Sequence, residues 1–492
     1  WFATELQRIG EGCGRCIEVA NVARTFTNDR APKGVEVVDV LGFQPGRDPK
    51  RVVIVMGHID SRVTDVMNAT SDAPGANDDA SGVALMLEAA RILSKEKFDA
   101  TIVYAALSGE EQGLFGGTLL AETAKERGWT VSAVLNNDIV GNTLGQDGRR
   151  VADRVRVFSE GIRESEPLPG QLARRADGGE DDGPSRSLAK TIDGVAGKLR
   201  GGLDVFVVRR FDRFGRGGDH SPFLKLGYPA VRFSVGAENY DQQHQDLRSD
   251  NGKVYGDTVD KMDFPYLARV TAINVATLRR LAKAPAAPGS VTIGGALATD
   301  TSVKWTPVPG ASGYRVHWRR ADAQDWQQHV DVKGSETSLK GVIVDEYGPA
   351  YADIDLPIID GLGGNARATG FMIDPARAML AARSAAGRTA SSSCESWRLR
   401  ALRPMAIAYS ARLSAEGLGI EGAFGGIPFP LPEQALQFAP YMMFFGAFAI
   451  DPNVSMSRSR MSLYPSSPPS TAPRTANEAN SAAWSTSSVS SR

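Results

Sequence analysis

Five short apolar runs most constrain what this chain can fold into. Arg51–Met56 (RVVIVM), Thr101–Leu107 (TIVYAAL), Val131–Leu135, Leu203–Val208 and Ala230–Val235 have the length and composition of buried strands. Ser81–Lys95 and Leu114–Arg127 lie between them with apolar residues at helical spacing, and Phe264–Ala284 closes the series as a long helix. Ser81 is a candidate N-cap for the first of these helices. Strands separated by helices predict an α/β fold, with a mainly parallel (mixed) sheet flanked by helices on both faces. Such sheets carry their sites at the C-terminal ends of the strands.

The strand ends hold the chemistry. The first run leads into Gly57-His58-Ile59-Asp60, where Asp60, two residues on in extended chain, faces the same way as His58 and can bond its ring. Pro74-Gly75-Ala76-Asn77-Asp78-Asp79-Ala80-Ser81-Gly82 precedes the first helix; an N-cap explains Asp79 or Ser81 but does not require Asp78. The second run ends in Ser108-Gly109-Glu110-Glu111, and adjacent carboxylates at a buried strand end repel unless they share a cation. The third ends in Asn136-Asn137-Asp138, and His244 follows the fifth. One rim therefore collects His58, Asp78, Glu110, Glu111, Asp138 and His244. That density of negative charge is costly without metal, and nitrogen plus carboxylate donors suit zinc. A shared carboxylate would allow two ions roughly 3.5–4 Å apart, leaving a spare Glu as general base.

Composition narrows the classes. With 492 residues the chain is long enough for two to four domains at roughly 150 residues each. Its 56 basic and 57 acidic residues leave a formal net charge of −1, so no chain-wide basic field points to nucleic acid or an anionic membrane. An apolar fraction of 42% excludes disorder of the whole chain. Three cysteines exclude a disulfide-dense scaffold and a multi-cysteine zinc framework. Cys13-Gly14-Arg15-Cys16 reads as a local disulfide or two thiols in a turn before it reads as a redox or metal pair. A disulfide would favour an exported protein. Because the chain starts at Trp1, a signal peptide is expected upstream, with a periplasmic or secreted location.

Read together, GHID, PGANDDASG, SGEEQG, NNDIVG, GGDHSPF, LGYPAV and NYDQQH, in this order, resemble the M28 zinc peptidases, the family of secreted bacterial leucyl-type aminopeptidases. The resemblance covers about residues 1–284. It implies that His58 and Asp138 bind one zinc, Glu111 and His244 the other, and that Asp78 bridges them. It makes Glu110 the general base and Asp60 the partner of His58, with Asp219 and His220 in support. Phe214-Gly215-Arg216-Gly217-Gly218 lacks the Tyr and the disulfide that some relatives carry just before the Asp-His pair. The oxyanion-stabilising residue and the specificity pocket therefore stay open.

The implied activity is that of a two-zinc exopeptidase, in the first instance an aminopeptidase removing N-terminal residues from peptides through a metal-bound hydroxide. A glutaminyl-cyclase-like acyltransferase with one zinc, and a carboxypeptidase or dipeptidase, share the fold. The residue after the bridging Asp is usually not acidic in the cyclase branch, so Asp79 favours the peptidase. A non-enzymatic binding protein on a dead scaffold is disfavoured because every ligand position is filled. No G-x-S-x-G or H-E-x-x-H motif appears.

Beyond the peptidase-like region (1–285), a linker at Pro285–Gly289 leads into residues 286–346. Val303-Lys304-Trp305 and Tyr314–Trp318 alternate at period two there, like the first strands of an incomplete fibronectin type III module. This would be a small partial β-sandwich lacking its last strands. Residues 347–450 stay unassigned; they include Gly361–Gly364, a helical stretch at Asp374–Arg388, a weak G-x-G-x-x-G at Gly417–Gly422 and an apolar run, Leu436–Ile450, too short to cross a bilayer. Residues 451–492 read as a Ser/Pro-rich disordered tail. No membrane span is expected, and oligomeric state is not legible.

Overall fold

The computed structural model describes residues 1–342, except 177–178, 296, 321–322 and 324–325, together with a strand at 371–374. After α1 (Phe2–Glu11) come β1 (Glu18–Asn28), β2 (Ala31–Gln44), β3 (Asp48–His58), α2 (Ala80–Leu93), β4 (Ala100–Leu107), α3 (Phe115–Glu126) and β5 (Thr130–Asn137). Then follow β6 (Arg154–Ser159), α4 (Leu168–Ala176), α5 (Pro184–Ala196), β7 (Asp204–Val208), α6 (His220–Lys225) and β8 (Ala230–Val235). A short hairpin of β9 (Arg248–Asp250) and β10 (Lys253–Tyr255) precedes α7 (Phe264–Lys283).

Eight strands form one mixed sheet in the order β1-β2-β4-β3-β5-β8-β6-β7. Its centre, β4-β3-β5-β8, is parallel. Antiparallel pairs flank it, β2 on β4 at one side and β6 on β8 at the other. The central strands are buried on both faces, so successive side chains serve opposite cores. Val53, Val55, Ile102 and Tyr104 pack with α1, α2, α5 and α7. Val52, Ile54, Met56 and Val103 pack with α3 and α6 on the other face. Each such side chain contributes about 1.5–3 kcal/mol by leaving water.

Local chemistry fixes the helix starts. The Asp263 side chain accepts the Tyr266 amide at 3.1 Å, and Pro265 occupies the first turn of α7. For α2 the cap is Asp79, which accepts the Gly82 amide at 3.1 Å, and not Ser81. Ser81 lies inside the helix, where its hydroxyl donates to the Asn77 carbonyl at 2.7 Å.

Three features differ from the sequence reading. Strands β1 and β2 form a long antiparallel hairpin that no apolar run announces, because β1 mixes half-buried with exposed residues and β2 is buried only in its second half. Strand β6 was not anticipated either. The polar stretch Asp177–Ser187 is not simply a surface loop: Pro184 opens α5, and Ser185, Arg186 and Ser187 are buried. Arg186 donates to Ser159 and pairs with Asp181 at 2.5 Å, so burial there is offset by ionic and hydrogen-bonded partners. The Cys13 and Cys16 sulfurs form a disulfide.

Residues after α7 build two small sheets. One contains β11 (Gly289–Gly294), β12 (Thr301–Thr306) and, later in the chain, β15 (Glu336–Leu339); the other contains β13 (Tyr314–Trp318), β14 (Gln328–Val332) and β16 (Phe371–Asp374). Val303, Trp305, Tyr314, Val316, Trp318 and Leu339 form their shared core, with the Trp305 and Tyr314 rings edge to face 5.1 Å apart. The backbone of β16 pairs along β13 from Phe371 opposite Trp318 to Asp374 opposite Arg315. One edge that the incomplete module would expose is thus paired by chain from the unassigned region. Asp374 is the last residue of that strand. The remainder of the expected helix to Arg388, the glycine stretches at 361–364 and 417–422, the apolar run 436–450 and the tail 451–492 lie outside the described residues. Among the described residues no helix is long and apolar enough to cross a membrane.

Candidate metal centre

The strand order β4-β3-β5-β8 sets the site. His58 is the last residue of β3, Glu110 and Glu111 follow β4, Asp138 follows β5, and His244 follows β8. Gly109 opens the turn after β4 with φ +73°, a left-handed conformation that favours glycine. The amides of Gly109, Glu110 and Glu111 then converge on the Asp60 carboxylate at 2.9, 3.2 and 3.1 Å. With its carboxylate engaged this way, Asp60 meets the His58 ring mainly through its backbone: Nδ1 lies 2.9 Å from the Asp60 carbonyl and 3.7 Å from the carboxylate. The ring contact thus differs from the side-chain bond expected from the spacing, because the Asp60 carboxylate serves as the clamp of the Glu110–Glu111 turn.

Asp79 ties the elements beneath the site together. Its carboxylate accepts the amides of His58 at 3.1 Å, Gly82 at 3.1 Å and Ile139 at 3.3 Å, joining β3, α2 and the end of β5. A Cβ at Gly82 would stand 2.1 Å from the Asn137 carbonyl oxygen, so only glycine lets α2 start this close to β5. Asp78 is held by its own amide, which donates to Asp257 at 2.7 Å. Its carboxylate spans the two histidines: Oδ1 lies 3.1 Å from His58 Nε2 and Oδ2 3.0 Å from His244 Nε2.

The donor atoms fall into two triads, each within 4.8 Å: His58, Glu110 and Asp138, and Asp78, Glu111 and His244. The first is the inner triad, with the His58 side chain 1% exposed; the second is the outer one, with His244 at 21%. Burial pushes the Asp78 carboxyl up, but His244 and His58 outweigh it and hold it well below the usual carboxylate range. Burial lowers His244, yet Asp78 and Glu111 raise it to about 9. Burial above all pushes the Glu110 carboxyl well up, opposed by His58 and reinforced by Asp138 and Asp219. Buried His58 Nε2 and Glu111 Oε1 have no well-aligned hydrogen bond. Orphaned donor atoms among concentrated carboxylates fit a divalent cation.

The model of peptidase family M28 matches residues 39–278. A probable zinc metalloprotease of Leptosphaeria maculans is 44% identical over 345 residues, covering 69% of this chain and 80% of that protein. Another probable zinc metalloprotease, from Pyrenophora teres f. teres, is 42% identical over 68% of this chain and 70% of its own. The chain belongs to peptidase family M28. Among solved structures, an aminopeptidase from Aneurinibacillus sp. strain AM-1 is similar over 50% of this chain and 48% of that one, at 22% identity and a TM-score of 0.36.

Sequence reasoning missed the arginines of this M28 site. Arg232 points from the middle of β8, is fully buried, and binds Asp138 Oδ1 at 2.8 Å and Asp212 Oδ1 at 3.0 Å. A charge inside the apolar run Ala230–Val235 was the available signal, since a buried charge needs a partner. Arg62 lies in the loop after β3, with Nε 3.1 Å from Glu111 Oε2 and Nη2 2.9 Å from His244 Nδ1. Nothing in the spacing marks it. The β1–β2 turn also reaches the site, where Arg30 donates to the Glu111 carbonyl at 2.6 Å. The predicted supporting pair lies deeper: Asp219 accepts the Gly117 amide at 3.1 Å, and His220 Nε2 faces the Phe211 carbonyl at 2.7 Å. In the loop lacking the tyrosine, Arg213 and Arg216 bind Glu238 at 3.1 and 3.3 Å, while Phe214 is exposed.

Proposed function

We propose that this M28 chain is an aminopeptidase that works with two zinc ions and hydrolyses N-terminal residues from peptides. The observation that carries the reading is the paired triads joined by Asp78 at the carboxyl ends of parallel strands. The names of the relatives, probable zinc metalloproteases, support zinc as the metal. His58 and Asp138 would hold one ion and Glu111 and His244 the other, with Asp78 between. Zinc, when bound, supplies Lewis acidity toward the scissile carbonyl and the attacking water.

The remaining work belongs to the chain. Glu110 accepts a proton from water and returns it to the leaving amine. Asp60 fixes where Glu110 stands by holding the amides on either side of it. The substrate's free α-amine is drawn to the acidic rim. The Cys13–Cys16 disulfide supports an extracytoplasmic location.

A panel of amino-acid anilides and short peptides with free, N-blocked or N-terminal glutaminyl ends tests the activity. Release of N-terminal residues from free but not blocked substrates is expected. Cyclisation of the glutaminyl substrate, or release from the carboxyl end of blocked peptides, would overturn it.

A further inference from the structure

The chain has five histidines. His58 and His244 belong to the triads, and His220 lies deeper in the same domain. The other two, His317 and His329, meet in the small module that follows α7. His317 is on β13 and His329 on β14, directly opposite one another in the antiparallel register. Tyr314, Val316 and Trp318 of β13 turn toward the module's core, as do Val330 and Val332 of β14. Alternation along the strands therefore puts both histidines on the opposite face. His329 is exposed and His317 half-buried, so the pair is open to ions from solvent.

Two residues along each strand, on the same face, Arg315 and Asp331 form the neighbouring cross-strand pair. Arg315 Nε stands 2.6 Å from Asp331 Oδ1, which ties the strands together beside the histidines. The two imidazole rings are 5.5 Å apart between centres, with their planes 41° apart. One ion bound through a nitrogen of each ring, at about 2.0–2.1 Å, would hold the ring centres about 4.5–5.2 Å apart. A modest turn of either side chain closes the difference. The β ladder has already brought the donors together, so chelation needs no loop to close. Imidazole donors select transition metals such as copper, nickel and zinc over magnesium and calcium, with copper(II) bound most strongly.

We propose that His317 and His329 form a two-histidine clip for a divalent transition-metal ion, separate from the paired triads. It stands whether or not the triads hold zinc. With two protein donors against three in each triad, the clip binds more weakly and takes its ion after the triads are filled.

Equilibrium dialysis of the full chain, saturated with zinc beforehand, against Cu²⁺ tests it. Any exchange of copper into the triads is common to wild type and variants, so the difference between them reads the clip. Wild type should bind one copper ion more per chain than His317→Ala or His329→Ala. Each single variant should lose as much as the double variant, because one imidazole alone is not a chelate. If His317→Ala, at the half-buried position, does not fold, His317→Gln and the exposed His329→Ala carry the same expectation. Mg²⁺ in excess should leave the extra copper in place. Equal copper in wild type and folded His329→Ala would overturn the proposal. So would loss of the ion only when both rings are removed, since each histidine would then bind by itself, and so would displacement by Mg²⁺, which would assign the binding to surface charge.

Discussion

The inner and outer triads offer the same donor chemistry on unlike supports. Two members of the inner one, His58 and Asp138, end or directly follow adjacent parallel strands, while Glu110 stands in the turn after a third, and a fully buried arginine from the next strand braces Asp138. Those of the outer one, Asp78, Glu111 and His244, all lie in connections, and His244 adopts φ +56°, a conformation rare outside glycine. Geometry built on strands is held by the whole core, whereas geometry built on loops depends on a few polar clamps, here Asp60, Asp257 and Arg62. The base, Glu110, stands in the turn whose amides Asp60 holds, at the junction of the two supports.

The largest expected effect is at that junction. Glu110→Gln should lower kcat by about 10²–10⁴-fold while leaving zinc content unchanged, read by steady-state kinetics alongside metal analysis. Retained activity would remove Glu110 from its role. Next comes stability. Arg232→Met should cost about 3–5 kcal/mol in denaturant unfolding, because Asp138 and Asp212 lose their buried partner. Arg62→Met should cost about 1 kcal/mol or less, its pair being partly exposed. Equal losses would erase the distinction between the two supports.

A smaller effect is expected at Glu160, a buried carboxyl after β6 and distant in sequence from both triads. Burial pushes it up to about 7, against the amide of Glu164, which donates to it at 2.8 Å. With the folded value above the unfolded one, stability is fully present below about pH 4.5 and falls as pH rises through 7. The loss is at most about 3 kcal/mol. Glu160→Gln should remove that part of the slope, seen as a smaller drop in unfolding free energy between pH 4.5 and 8. An unchanged slope would show that burial of Glu160 does not perturb its titration in the folded chain.

How far the sequence was legible follows the same division. Central strands announced themselves because both their faces are apolar, and all six rim residues could be placed because each follows a recognisable strand or motif. The β1–β2 hairpin stayed hidden because one-sided burial dilutes its pattern with charged residues such as Lys33 and Glu36. The burial of Arg186, inside the polar stretch, and of Lys190, just after it, was hidden because a run of charged residues does not show that Asp181 and Asp182, five and eight residues back, will pair with them. Likewise, Arg62 reaches His244 across 182 positions of sequence, a distance no local periodicity spans. Asp60 was found by its spacing from His58, but its hold on the Glu110 turn needed the register of β3 against β4.

Metal analysis of the full chain and two ligand variants tests the central claim most directly. Two zinc ions per chain in wild type are expected, with one in His244→Ala, where the inner triad survives. His58→Ala should hold at most one. A wild-type chain that binds no zinc after mild purification, or a His244→Ala variant that still binds two, would contradict the paired-triad account.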